Sequence, residues 1–177
     1  MSELAQLAQR VYAQLTAPGA PFEVVEQTIR GEPRRVYRNA FPNLPALIES
    51  ARAHGDKPFI VHEGETWSFD RFFAEADALA AQLREWGLQP GDRVAVAMRN
   101  RPEWAVSVVA AALIGALPAP INSFGLREEL SAAIADIEPA VLACDQERLV
   151  RLAGDPVLST CRVVVAGEGP EQPGCLR

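Results

Sequence analysis

The run Val94-Ala95-Val96-Ala97-Met98 is apolar at every position, and this constrains the fold more than any other stretch of the chain. A strand with one face in water alternates polar and apolar residues, whereas an uninterrupted apolar strand belongs to a parallel sheet covered on both faces. Further strands are expected at Leu117–Ile121, Ala140–Cys144 and Arg162–Ala166, each preceded by a helical pattern. Between them, Arg101 to Ile114 reads as an almost wholly apolar helix stopped by Gly115. Residues 126–137 read as an amphipathic helix turning Leu130, Ile134 and Ile137 inward, and residues 146–153 as a helix capped by Asp145. Strand–helix alternation at this spacing requires right-handed crossovers. The expected class is α/β, a mainly parallel sheet with helices on both faces. Pro118 and Pro120 confine their strand to an edge or an irregular start.

Upstream, Phe72, Ala76, Leu79, Leu83 and Trp86 recur at helical spacing before Gly87. Phe59–His62 and Thr66–Ser68 flank the turn Glu63-Gly64-Glu65 as a hairpin. Residues 2–15 form an amphipathic helix with Ser2 as N-cap and Leu4, Leu7, Val11 and Leu15 on one stripe. Phe22–Ile29 and Arg35–Arg38 form a hairpin around the turn Arg30-Gly31-Glu32-Pro33, and Asn43 caps a helix to about His54. Residues 1–57 therefore read as an N-terminal arm of helix, hairpin and helix, and 58–177 as an α/β subdomain. The tail 167–177, with three glycines and two prolines, reads as a loop.

A chain of 177 residues, 49% hydrophobic and 23% charged, has the composition of one globular domain, or at most two small ones. The net charge of −6 argues against nucleic acid, whose binding requires clustered Lys and Arg. Only Lys57 among the 17 basic residues is a lysine, and no glycine-rich loop surrounds it. Cys144, Cys161 and Cys175 form no CxxC pair and read as reduced thiols. The first residues lack a basic start and apolar run, and the most apolar stretch, Ala105 to Ile121, is broken by Gly115, Pro118 and Pro120. No secretory signal or membrane span is expected, and a cytoplasmic location is.

Open parallel sheets bind ligands outside the carboxyl ends of their strands. Here those ends are Met98-Arg99-Asn100, Ile121-Asn122-Ser123, Cys144-Asp145 and Ala166-Gly167. Asn100 and Asp145 read as helix caps, Asn100 within a capping box with Glu103. Arg99 and Arg101 could meet an anion, although two arginines bracketing a cap are usually solvated; Arg148 with Arg151, three apart on one helix, could face a phosphate of a large cofactor. Glu128 and Glu129 suit the positive end of a helix. His62, beside Glu63, lacks a partner constellation. Gly167-Glu168-Gly169 opens a dinucleotide fingerprint without its third glycine or following helix. No residue is assigned a catalytic, cofactor-binding or metal-binding role.

Three stretches in order carry a resemblance: Leu79–Val96, with Gly87-Leu88 and Gly91-Asp92-Arg93-Val94-Ala95; Asn100-Arg101-Pro102-Glu103-Trp104 followed by Gly115-Ala116 and Pro120-Ile121-Asn122; and Glu129-Leu130 leading to Ala140-Val141-Leu142-Ala143. Together with the Pro58–Ser68 hairpin they are similar to the N-terminal part of the AMP-forming, adenylate-forming enzymes, specifically acyl- or aryl-CoA ligases. The resemblance implies part of that fold and a parent reaction in two steps. A carboxylic acid attacks ATP, giving an acyl-adenylate and pyrophosphate, and CoA then displaces AMP. ATP, Mg²⁺ and CoA are implied for a full-length parent and no cofactor for this chain. The phosphate-gripping loop and the lysine domain of the family have no matching positions here, so a protein of these residues alone is expected to be inactive. Two other readings stand beside it: a freestanding Rossmann-like binding or interaction module, and a complete small enzyme. A truncated sheet is expected to leave an unpaired edge or apolar patch and to favour self-association.

Overall fold

The computed structural model describes residues 2–167 and the backbone of 175–176. By internal contacts the chain divides into two units, Met1–Asn43 and Leu44–Arg177. The helix after Asn43 therefore goes with the larger unit, and the 57/58 boundary expected from the sequence falls inside it.

In the smaller unit, Ser2 caps α1 (Glu3–Leu15), its hydroxyl accepting from the Ala5 N–H at 3.3 Å. The stripe of Leu4, Leu7, Val11 and Leu15 is exposed. Strands β1 (Val24–Ile29) and β2 (Glu32–Tyr37) pair antiparallel, with Ile29 opposite Glu32. The connection is thus the two residues Arg30-Gly31, both at positive φ (52° and 84°). Positive φ at both central residues matches the strand twist, so Glu32 and Pro33 join the strand rather than the turn expected from the sequence.

The larger unit opens with α2 (Leu44–Ser50), a 3-10 turn at Ala51–His54, and the hairpin β3 (Pro58–His62)–β4 (Glu65–Ser68), closed by Glu63-Gly64 in the same geometry. Ser68 then caps α3 (Phe69–Glu85) through a bond from the Arg71 N–H. Trp67, Phe72, Phe73 and Val106 form a buried aromatic cluster with Ile48, Ile60 and Phe69 at its margin.

The rest is β5 (Arg93–Ala97), α4 (Pro102–Leu113), β6 (Leu117–Pro120), α5 (Arg127–Ile137), β7 (Val141–Asp145), α6 (Gln146–Arg151), a 3-10 turn at Pro156–Ser159, and β8 (Arg162–Ala166). Cys175–Leu176 adds β9, pairing parallel with Val163 and Val164. Two residues of the tail are therefore strand rather than loop, and residues 168–174 lie outside the described residues. The five strands from β5 to β9 form one sheet in the order β6-β5-β7-β8-β9, all parallel. Val94, Val96, Val141, Ala143 and Ala166 pack with Ala80 and Leu83 of α3 and Ala110 and Ala111 of α4. Ala95, Ala97, Leu142, Cys144, Val163 and Val165 pack on the other face with Leu130, Ile134, Leu149 and Leu152. The chain steps one way from β5 to β6 and back the other way to β7. Right-handed crossovers taken in opposite directions put their helices on opposite faces, which is why this sheet needs apolar residues at every position.

The prolines of β6 obey a parity. Leu117 donates to the Asp92 carbonyl and Ile121 to the Val96 carbonyl, so alternate N–H groups face β5. Pro118 and Pro120 occupy the other parity, where an N–H would face outward. The missing donors cost the sheet nothing and deny that edge to another strand.

Gly115 ends α4 at φ 78°, and a Cβ there would meet Pro90 Cβ at 3.1 Å. Gly115→Ala should lower stability by about 1–2 kcal/mol from the left-handed backbone alone, with the contact adding to it. Urea unfolding with an unchanged m value would show this, and an undiminished midpoint would refute it.

Candidate functional site

The reversal between β5 and β7 makes a topological switch point, where the carboxyl ends of adjacent strands diverge and leave a crevice. A cavity of about 320 Å³ lies there, walled by Arg99, Asn100 and Arg101 after β5, Asp145 to Arg148 after β7, and His62 and Glu63 from the hairpin turn. Its floor is organised by the Asp145 carboxylate, which is 5% exposed. One oxygen accepts from the Arg148 N–H at 3.0 Å, the cap of α6, and the other from the Arg99 N–H at 3.0 Å. The Arg148 guanidinium adds a contact of 2.9 Å. Burial pushes this carboxyl up, but the N–H groups of Arg99 and Arg148 and the guanidinium outweigh it and hold it below the usual carboxylate range.

Arg148 is 1% exposed, and its guanidinium is turned to partners within the chain. Besides Asp145 it donates to the Ser123 carbonyl at 2.8 Å and to Glu147 at 2.9 Å. Arg151 donates to the Gly125 carbonyl at 2.6 Å and to Glu147 at 2.6 Å. Both arginines are engaged with the loop after β6 rather than aimed at open space. Phe124 of that loop is 70% exposed and lies 3.7 Å from the Arg99 guanidinium. The sequence gives Phe124 no role, since its contact with Arg99 joins two loops distant in the chain.

Asn100 lines the crevice but does not cap α4; the N-cap is Arg101, at φ −152° and ψ 160°. The reason is Pro102 at the first helical position, because a residue preceding proline is driven into the extended region. Glu103 accordingly pairs with the Arg101 side chain at 2.8 and 2.9 Å instead of reaching back to a cap. That bond raises the Arg101 pKa; burial pushes Glu103 up and the same bond brings it below its usual range. The Arg101 guanidinium lies against Gly167, where a Cβ would meet it at 3.1 Å, so the exit of β8 lies beside the start of α4. Glu168 and Gly169 of the glycine pattern lie outside the described residues.

His62 Nε2 stands 3.8 Å from Glu63 Oε1 at the crevice margin, and Lys57 is exposed elsewhere. Glu129 reaches back to the Leu126 N–H at 2.8 Å as part of the α5 cap, in keeping with its expected place at a helix start. Cys144 is buried in β7, and burial pushes the Cys161 thiol up, away from the thiolate that reactivity needs. Among the described residues no three His, Cys, Asp or Glu side chains gather to hold a metal, and no helix is long and apolar enough to cross a membrane. A second, apolar groove of about 360 Å³ runs between α3, α4 and β8, with Leu79, Trp86, Met98, Val106 and Val164 in its walls.

Residues 47–176 match the family model described as AMP-binding enzyme. Novobiocin biosynthesis protein H of Streptomyces niveus is 37% identical over 103 residues, covering 58% of this chain and 17% of that protein. L-proline--[L-prolyl-carrier protein] ligase of Streptomyces coelicolor is 30% identical over 128 residues, 72% of this chain and 24% of that one. Among solved structures, the anthranilate CoA ligase in complex with anthranoyl-AMP shares the fold at a TM-score of 0.71 and 24% identity, covering 77% of this chain and 27% of its own. A long-chain-fatty-acid CoA ligase of Rhodopseudomonas palustris follows at 0.67 and 25%, covering 77% and 35%. The chain thus spans between 17% and 35% of the length of these four proteins.

Removing one partner of the buried pair strands the other charge, so Asp145→Asn or Arg148→Met should cost about 3–5 kcal/mol. A carboxyl with a depressed folded-state pKa stabilises the fold above its unfolded pKa, and that stability is lost as pH falls through the folded value. Denaturation followed from pH 7 downward should show a loss beginning near the ordinary Asp range and still growing below it. In Asp145→Asn this part of the loss should be absent, and an unaltered profile would contradict the assignment.

Proposed function

The chain belongs to the AMP-binding enzyme family, and from that premise we propose that it is the N-terminal scaffold portion of an AMP-forming acid–CoA ligase, inactive as these 177 residues alone. The observation that carries the reading is the match of residues 47–176 to the family in a chain whose crevice charges are nearly all paired internally. Adenylation must neutralise the triphosphate as the carboxylate attacks, which takes a cation and a loop of Ser, Thr, Gly and Lys donors. The sequence holds no such loop. Mg²⁺ does not fit the described residues either: both oxygens of Asp145 are occupied by N–H donors, and no acidic cluster stands beside it. No step is assigned to residues of this chain.

Its contribution in the longer enzyme would be the wall of the switch-point crevice. Arg99 has its guanidinium on an aromatic ring and makes no ion pair among the described residues, so it is the charge available to a phosphate of the nucleotide-bearing ligand. CoA as thiol acceptor is supported by the two CoA ligases of the same fold; a carrier-protein thiol is the variant that the prolyl ligase exemplifies. The apolar groove beside β8 is the surface through which an isolated chain would self-associate. A division into an N-terminal arm and an α/β subdomain, and a cytoplasmic location, belong to the same proposal. The alternative is a freestanding binding module that never adenylates.

Calorimetric titration of the 177-residue chain with ATP–Mg²⁺ and then CoA separates the two. The scaffold reading expects a Kd no tighter than about 1 mM for either, since one exposed guanidinium supplies little beyond a few kcal/mol. A Kd below about 10 μM for ATP would overturn it in favour of the binding module.

A further inference from the structure

The loop that follows β6 carries Phe124, and it is held from below by α6 in an unusual way. Its own sequence, Asn122-Ser123-Phe124-Gly125-Leu126, makes only a short local turn: Phe124 N–H donates to the Asn122 side chain at 3.1 Å and Gly125 N–H to the Asn122 carbonyl at 3.1 Å. Two loop carbonyls are instead taken by arginines some 25 residues further on, Ser123 by Arg148 and Gly125 by Arg151. Glu147 bridges the two guanidinium groups, and Asp145 anchors the buried one to the end of β5. The carbonyls grasped lie immediately before and after Phe124. Fixing them fixes the direction of the exposed ring between them, and that ring meets the Arg99 guanidinium.

We propose that Arg148 and Arg151 are positioning residues, which clamp the carbonyls flanking Phe124 so that its ring holds the Arg99 guanidinium at the mouth of the crevice. The functional weight of this clamp rests on the reading of the crevice as the place where this chain meets a phosphate. A long arginine on the surface samples many rotamers, and stacking against a fixed ring removes that freedom before a ligand arrives. Neither clamping arginine needs to touch the ligand.

Arg151→Met tests this without emptying the core, because Arg151 is partly exposed while Arg148 still balances Asp145. Amide exchange of residues 123–126 should rise by about tenfold on losing a charged hydrogen bond, with exchange in β5 and β7 unchanged. By NMR, the side-chain protons of Arg99 should sit upfield under the Phe124 ring current, a displacement abolished in Phe124→Ala. That displacement should shrink in Arg151→Met and return in Arg151→Lys, which restores a donor; Arg148→Lys, retaining the charge beside Asp145, should loosen the same amides. Unchanged loop exchange and an unchanged Arg99 displacement in both Arg151→Met and Arg148→Lys would overturn the clamp. CoA titrated into the wild-type chain reads the other premise separately: no perturbation of Arg99 at CoA raised well above about 1 mM would sink the phosphate assignment, and the exchange and ring-current results would still decide the clamp.

Discussion

One buried carboxylate ties the carboxyl edge of this sheet together. Asp145 ends β7, caps α6, accepts the N–H of Arg99 as the chain leaves β5, and balances the Arg148 guanidinium. Each contact alone is an ordinary hydrogen bond of modest net value. Their convergence matters because strands at a switch point diverge, and nothing in the sheet's own ladder holds their ends in register beyond that point. Through Arg148 the same anchor extends to the loop after β6, so three consecutive strand ends are referred to one side chain. A buried ion pair is weak evidence for stability as such. Here it sets geometry, joining elements that the apolar core leaves independent.

Below that edge, packing is governed by the direction of the crossovers. The step from β5 to β6 and the return to β7 put α4 and α5 on opposite faces, and every inward position of β5 and β7 becomes a core position. The proline parity of β6 belongs to the same arrangement. A strand carries two prolines in four residues most readily with one neighbour, and among the described residues β6 pairs only with β5.

These features separate what sequence can reveal from what it cannot. Val94–Met98 announces a doubly covered strand because periodicity is local, and Ser2 and Asp145 are legible as caps because a cap bonds within its own first turn. The capping box placed at Asn100 was wrong for an equally local reason that outranks it: Pro102 makes Arg101 extended, so the helix can begin only after Arg101. Glu32-Pro33 was read as turn because proline is common in turns, whereas positive φ at Arg30 and Gly31 already completed one. Arg148 was unreadable in a different sense. Its spacing from Arg151 marks one helix face, but the carbonyls that face it arrive from a loop some 25 residues earlier. No pattern within a window records an approach of that kind.

Under the proposed reading as the scaffold of a ligase, the distribution of charge around the crevice has a consequence. Arg101 is committed to Glu103, Arg148 to Asp145 and Glu147, and Arg151 to Glu147. A wall whose cations are already balanced is stable before any ligand or neighbouring domain arrives, and it holds its shape at the cost of binding little by itself. Arg99 is the exception, set on an aromatic ring that restrains the guanidinium without neutralising it. A single oriented charge in an otherwise satisfied wall can select where one phosphate rests. The energy to bind the ligand would then have to come from groups outside this wall. That division, with orientation from a rigid edge and affinity from elsewhere, is the physical content of calling the chain a scaffold.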